Sequence, residues 1–306
     1  MTDHRAQLVD VAAPVQVAAP AHVALCHISH YQYDRPIQLG AQIIRLRPAP
    51  HCRSRILDYQ LTITPANHSI HWQQDPQSNY LARLLFAEKT QQLRLVVDLI
   101  AELTPLNPFD FFLESYAAQF PFVYDAEEAT ALAAFLQCQA ASPAFSRYLA
   151  TIDRSAQGSV EFLVALNQKI FKEIRYQQRF EPGVQSPEET LLKGSGSCRD
   201  SSWLLVQLLR HLGLAARFVS GYLIELKEDL KQDAPAADLG ELHAWCEVYL
   251  PGAGWIGLDP TSGLLAGEGH IPLACSPSPA SAAPISGLID RCECHFSHTL
   301  KIQRLK

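Results

Sequence analysis

From His22 to about Leu103 the apolar positions recur with a period near two. The stretch RILDYQLTI puts Leu57, Tyr59, Leu61 and Ile63 on one face, and QLRLVVDLIAEL does the same with Leu93, Leu95, Val97 and Leu99. A two-residue repeat is the mark of half-buried strands. DPQSN at 75–79 reads as a turn between SIHW and YLARLLF. The pattern predicts an antiparallel β-sandwich of short strands.

After Pro105 and Pro108 the period lengthens. EEATALAAFLQCQA and SVEFLVALNQKIFKEIRY carry apolar residues at helical spacing. In the second, Val160, Leu163, Val164, Ile170, Phe171 and Ile174 share a broad face, with Ser159 as the N-cap. A third helix starts near Cys198 and runs to about His211, with Gly213 placed to terminate it. ARFVSGYLIEL, LHAWCEVYL and WIGLD then read as strands, the last two joined by PGAG, and a polar loop of low periodicity follows the first. RCECHFSHTLKI alternates again and predicts a late strand. The chain is therefore expected to be α+β. It divides into a loose arm over 1–21, an N-terminal antiparallel β-sandwich domain over 22–105, a mixed core over 106–270 and a C-terminal segment over 271–306. The late strand of that last segment is expected to return to the β domain.

Composition narrows the function classes. The 306 residues are 48% apolar and 18% charged, enough to bury a sizeable core. The net charge is −6 and no extended basic run exists, so the footprint of a nucleic-acid binder is missing. No stretch of about 20 apolar residues suggests a membrane span. The first residues lack a basic segment followed by an apolar one, so no signal peptide is expected. Eight cysteines at irregular spacings do not look like a disulfide framework. A cytoplasmic location follows as the expectation, with several cysteines acting as small buried hydrophobes.

One cysteine stands apart. In GSGSCRDSSWLL, Cys198 follows a glycine/serine turn and opens a helix. A helix N-terminus offers unpaired N–H groups and a positive dipole end, and both favour a thiolate. The amide of Cys198 can donate to an oxyanion. A nucleophile also needs a base and a group that orients it. The strand ELHAWCEVYL sets His243, Trp245, Glu247 and Tyr249 on one face; Leu242, Ala244, Cys246, Val248 and Leu250 form the core face. The next strand ends at Asp259, before a proline. A carboxylate there would hold the imidazole tautomer and stabilise its protonated form. Parity sets a condition. A four-residue PGAG loop pairs 250 with 255 and sends His243 and Asp259 to opposite faces. A one-residue change in the loop, or a bulge, restores the same face, so an irregular turn is expected here.

These residues resemble a known family. GSGSCRDSSWLLVQLLRHLGLAARFVSGYL followed by LHAWCEVYLPGAGWIGLDPTSG is similar to the catalytic core of the transglutaminase-like superfamily, over roughly 160–265. HISHYQYDRPIQLGAQIIRLRP and EGHIPLACSPSPASAAPISG are similar to the flanks of its bacterial branch. The resemblance implies a papain-like core in which a nucleophile helix packs on an antiparallel sheet. It implies Cys198 as nucleophile, His243 as base and acid, and Asp259 as orienter. It further implies that Tyr176 helps line the oxyanion hole, that Arg199 and Asp200 brace the loop, and that Trp245 and Trp255 wall the cleft or belong to the core. The reaction implied is acyl transfer at a peptide or protein carboxamide through a thioester, without a cofactor. Peptidase or amidase chemistry is preferred over cross-linking, since no residue marks a channel for an amine.

Other clusters are weaker. In CECHFSH, strand alternation groups Cys292, Cys294 and His298 but turns His295 away, so no metal is expected. CHISHY places His27, Ser29 and Tyr31 on one face, ordinary for an edge strand. The expected partners are a peptide or protein substrate and, through the β domain, a protein partner, with neither nucleic acid nor membrane. The competing reading is a non-catalytic peptide-binding or scaffolding module of the same fold.

Overall fold

A computed structural model describes residues 19–179, 181–227 and 237–305. The expected arm over 1–21 lies almost wholly outside them, as does most of the polar loop before 237. Twelve strands of five residues or more and six α-helices build the described chain.

The alternating N-terminal region forms β1 (Ala21–Ile37), β2 (Leu39–Ile44), β3 (Arg55–Thr64), β4 (His68–Gln74), β5 (Tyr80–Phe86) and β6 (Thr90–Leu103). Six helices follow: α1 (Ala126–Ala131), α2 (Ala133–Leu136), α3 (Pro143–Leu149), α4 (Ser159–Glu173), α5 (Pro187–Lys193) and α6 (Cys198–His211). Then come β7 (Ala216–Glu225), β8 (Leu239–Leu250), β9 (Gly254–Asp259), β10 (His270–Ser276), β11 (Ile285–Ile289) and β12 (Cys294–Leu305). The architecture is α+β, with antiparallel sheets in both halves.

Two four-stranded sheets, in the orders β12-β1-β6-β3 and β11-β2-β5-β4, make the sandwich. Each takes one edge strand from the C-terminal segment. β12 runs antiparallel along β1 from His22↔Leu305 to Tyr33↔Cys294. That coverage makes β1 an inner strand, so His27 and Ser29 are buried and not the edge-strand residues their spacing suggests. A bulge between Ile56 and Asp58 shifts β3 by one residue. Ile56 therefore turns to the core and Leu57 is left 43% exposed, against the simple alternation.

The central sheet has the order β9-β8-β7-β10, with a short strand at 264–265 beyond β9. The expected boundary at 270 thus falls at the start of a strand that belongs to this sheet. Helix α6 packs on it, and Leu204, Leu205 and Leu208 share a core with Ala244, Cys246, Val248 and Leu250. Tyr222, Ile224, Ile271 and Leu273, at the far ends of β7 and β10, join the sandwich core instead. Leu242 goes with them and leaves the company of Ala244 and Cys246.

The helical region is more broken than its period suggests. The run 127–140 divides into α1 and α2 at Leu132 and stops before Cys138. In α4 the buried side is Phe162, Leu163, Leu166, Asn167 and Ile170, while Phe171 is 46% exposed. The apolar face is rotated because it must meet both α6 and β9. Ser159 is the first helical residue and Gly158 the N-cap; the Ser159 hydroxyl donates to the Ala117 carbonyl at 2.6 Å.

Candidate active site

Residues 175–176 pair in parallel with 195–196 and hold the loop before α6. The Gln177 N–H donates to the Gly196 carbonyl at 2.8 Å. Gly196 has no room for a side chain, since a Cβ there would stand 2.7 Å from Cβ of Asp200. Asp200 is fully buried. Its carboxylate accepts from Ser197 N and Oγ at 2.8 Å, Gln185 N at 2.7 Å and Arg179 Nη1 at 2.8 Å. Burial acts to raise this carboxyl, and the converging donors overturn it to a net lowering. Arg199 donates to the carbonyls of Arg179 and Glu181 at 3.0 and 3.2 Å. Both side chains therefore tie down the turn that presents Cys198 in the first turn of α6, where it is 9% exposed.

The hairpin carries His243 and Asp259. Leu250 pairs with Gly254, so the loop has three residues, 251–253, one fewer than PGAG implies. Gly252 and Gly254 sit at φ 88° and 77°, a conformation that favours glycine. Cys246 pairs with Leu258. Continuing that register sets Asp259 opposite Trp245, on the side of His243. The His243 Nε2 to Asp259 Oδ2 distance is 3.1 Å. Asp259 is held from its other oxygen by Thr261, whose N and Oγ1 donate at 2.9 and 2.7 Å. Asn167 of α4 donates to the Asp259 backbone carbonyl at 3.1 Å.

His243 is 5% exposed. Its Nδ1 is buried without a hydrogen-bond partner among the described residues, and lies 3.4 Å from Oε1 of Glu241. Burial alone would push the imidazole down. Asp259 first, then the neighbouring Cys198 and Glu241, hold it well above its ordinary value. Burial likewise acts to raise Asp259, and the two imidazoles beside it take it far below the usual carboxylate range. The pair is ionic.

The second imidazole is His270, on β10. Gly267 N–H donates to its Nδ1 at 3.2 Å, which leaves the ring proton on Nε2, 3.4 Å from Asp259 Oδ2. The donor atoms of His243, Asp259 and His270 all lie within 4.8 Å of one another, close enough to hold a metal. The tautomer opposes that use: a metal on Nε2 needs the proton at Nδ1, where the Gly267 N–H already points.

Trp245 is 1% exposed, with its ring 6.4 Å from His243 and 5.2 Å from His270. It backs both imidazoles from the core. Trp255 lies elsewhere, under Arg217 and against Phe135 and Tyr249. Tyr176 is 50% exposed and helps line a cleft of about 300 Å³, together with Glu241, Asp259 and His270. Burial, followed by the nearby Cys198, raises its phenol. The spacing signals miss His270, Thr261, Asn167 and Glu241. Two of these carry a readable sign: Glu241 alternates onto the face of His243, and Thr261 stands two residues after an aspartate, where such residues donate to its side chain.

Residues 23–102 match the bacterial transglutaminase-like N-terminal region, and residues 146–260 match the transglutaminase-like superfamily. The chain belongs to the transglutaminase-like superfamily. Uncharacterized proteins of Mycobacterium tuberculosis and Mycobacterium bovis are 27% identical to it over 271 residues, covering 86% of each chain. A crystal structure from Cytophaga hutchinsonii, described as a candidate cysteine protease, superposes with a TM-score of 0.69 at 18% identity. It covers 94% of this chain and 92% of its own. That likeness, across both the sandwich and the core, is one of fold. Among the described residues of this family member no helix is long and apolar enough to cross a membrane.

Proposed function

We propose that the chain is a cysteine-dependent amide hydrolase or acyltransferase acting on a peptide or protein carboxamide, with hydrolysis preferred over cross-linking. One observation carries this reading. A buried imidazole is anchored at Nε2 by Asp259, at 3.1 Å, with Cys198 beside the ring and Glu241 3.4 Å from its Nδ1. A thiol at a helix start beside an imidazole that a buried carboxylate orients is the arrangement a cysteine nucleophile needs. The Cytophaga hutchinsonii protein described as a candidate cysteine protease, though only 18% identical, has the same fold and fits this reading.

In the reaction, the Cys198 sulfur attacks the carbonyl carbon and the C=O pair moves onto oxygen. The Cys198 N–H, at the first position of α6, donates to that oxyanion. His243 gives its Nδ1 proton to the leaving amine as the C–N bond breaks, leaving a thioester on Cys198. Water then loses a proton to His243 and attacks the thioester, releasing the acid and restoring the thiolate–imidazolium pair. Asp259 holds the ring in place and stabilises its charge throughout. The eight cysteines are all free, which supports a reducing cytoplasm as the working compartment.

The test is iodoacetamide alkylation read cysteine by cysteine in a mass spectrometer. Cys198 is expected to react well ahead of the other seven, and the advantage to vanish in His243→Ala. Equal reaction at all exposed thiols would remove the enzyme reading and leave the non-catalytic peptide-binding or scaffolding one.

A further inference from the structure

The cleft beside His243 has a chemistry that amide cleavage itself does not require. Its floor is the surface of the central sheet beyond the imidazole. Glu241 of β8 pairs across to Leu223 of β7, and Glu225 lies two residues further along the same side of β7. Both carboxylates are exposed, and no lysine or arginine lines the cleft among the described residues. The Glu225 carboxylate has no side-chain partner among them either. Tyr176 and Leu264 add apolar surface, 50% and 64% exposed. Glu241 alone reaches inward, with Oε1 3.4 Å from the buried Nδ1 of His243. The buried imidazole therefore meets the acidic wall of an open cleft that no described lysine or arginine lines.

We infer that this cleft is a specificity subsite for a lysine or arginine side chain of the peptide substrate, next to the reacting carboxamide. The inference rests on the cysteine-hydrolase reading above. Glu225 and Glu241 supply the counter-charge, and Tyr176 and Leu264 cover the aliphatic stem, which such side chains lay along apolar surface. Two carboxylates on one wall of a cleft raise the local concentration of a cationic side chain.

The test uses three peptidyl acyloxymethyl ketones that differ in one flanking residue: lysine, norleucine or glutamate. Each alkylates a thiolate, and the rate at Cys198 is read by mass spectrometry. The lysine probe is expected to label Cys198 roughly five- to tenfold faster than norleucine, the range open to two partly exposed ion pairs. The glutamate probe should be slowest. About 0.5 M salt should shrink the preference. Glu225→Lys should bring the lysine-to-norleucine ratio to about one or below; Glu225→Gln reads the same ratio should the reversal misfold. Equal labelling of Cys198 by all three probes overturns the subsite and leaves the hydrolase standing. No selective labelling of Cys198 by any probe overturns the hydrolase reading, and this inference with it.

Discussion

His27 in the sandwich and His243 in the central sheet are both buried, at 0% and 5% exposure, yet they are held in opposite charge states. His27 is met by neutral hydroxyls: Tyr222 Oη is 2.9 Å from Nδ1, and Ser29 Oγ is 3.0 Å from Nε2. Burial, with a smaller push from His298, brings it down to about 4. His243 is met by a buried carboxylate and is held up. Depth is common to both sites and decides neither function. What separates them is the partner: hydroxyls satisfy an imidazole without charging it, whereas Asp259 makes the charged form the stable one.

Three substitutions break or sharpen this contrast at the site. Cys198→Ala should abolish acyl transfer completely while the far-ultraviolet spectrum stays that of the folded chain; residual turnover would mean another nucleophile. Next in size is Asp259→Asn, which makes the partner of His243 neutral, as it is for His27. Turnover should fall about 10⁴-fold, the loss seen when an orienting carboxylate is neutralised. The His243 ring, followed by NMR, should titrate at lower pH than in the parent chain. A high titration point retained in Asp259→Asn would show that Glu241 or Cys198 holds the charge instead.

The contrast also marks what could be read from the chain. Cys198, His243 and Asp259 stand out in the sequence because each sits at a structurally special point: a helix start, an alternating strand, a strand end before proline. The parity argument asks for a one-residue change in the loop or a bulge, and the hairpin has the shorter loop, 251–253. His270 was not legible, since it lies on a strand that enters the sheet beside β7 and no local spacing ties it to Asp259. The same holds for His27. Its apparent place on an edge strand fails because β12, more than 250 residues later, covers β1. Local period reports alternation but not which strand will arrive from a distance. The bulge at Ile56–Asp58 and the rotated face of α4 were hidden for the same reason: tertiary packing chose the face.

His270→Asn tests the second imidazole on Asp259. Its Nε2–H shares Oδ2 with His243 at 3.4 Å. Losing one donor to a buried carboxylate should cost about tenfold in turnover. A positioning role predicts that kcat falls while KM holds and that the His243 titration shifts. An unchanged titration with a lower melting temperature would make His270 a packing residue only.

The smallest effect on turnover is expected in the sandwich, where the change is one of stability. The folded value of His27 lies near 4, below its ordinary 6.5, so the unfolded chain binds the extra proton between these limits. Stability should therefore be full above pH 6.5 and drain as pH falls toward 4, by up to about 3 kcal/mol. His243 has the opposite sign: its share is full below about pH 6.5 and drains as pH rises through its raised folded value. His27→Gln keeps a donor and an acceptor between Tyr222 and Ser29 but cannot titrate. It should flatten the acid side of the stability curve relative to the parent chain and leave turnover at neutral pH unchanged. The readout is the difference between the two chains in urea midpoint from pH 4 to 6.5, because carboxylates shared by both cancel in that difference. A parallel pair of curves would mean that the sandwich accommodates a charged His27. The hydroxyls would then be doing for it what Asp259 does for His243, and the partner rule drawn from the two sites would fail.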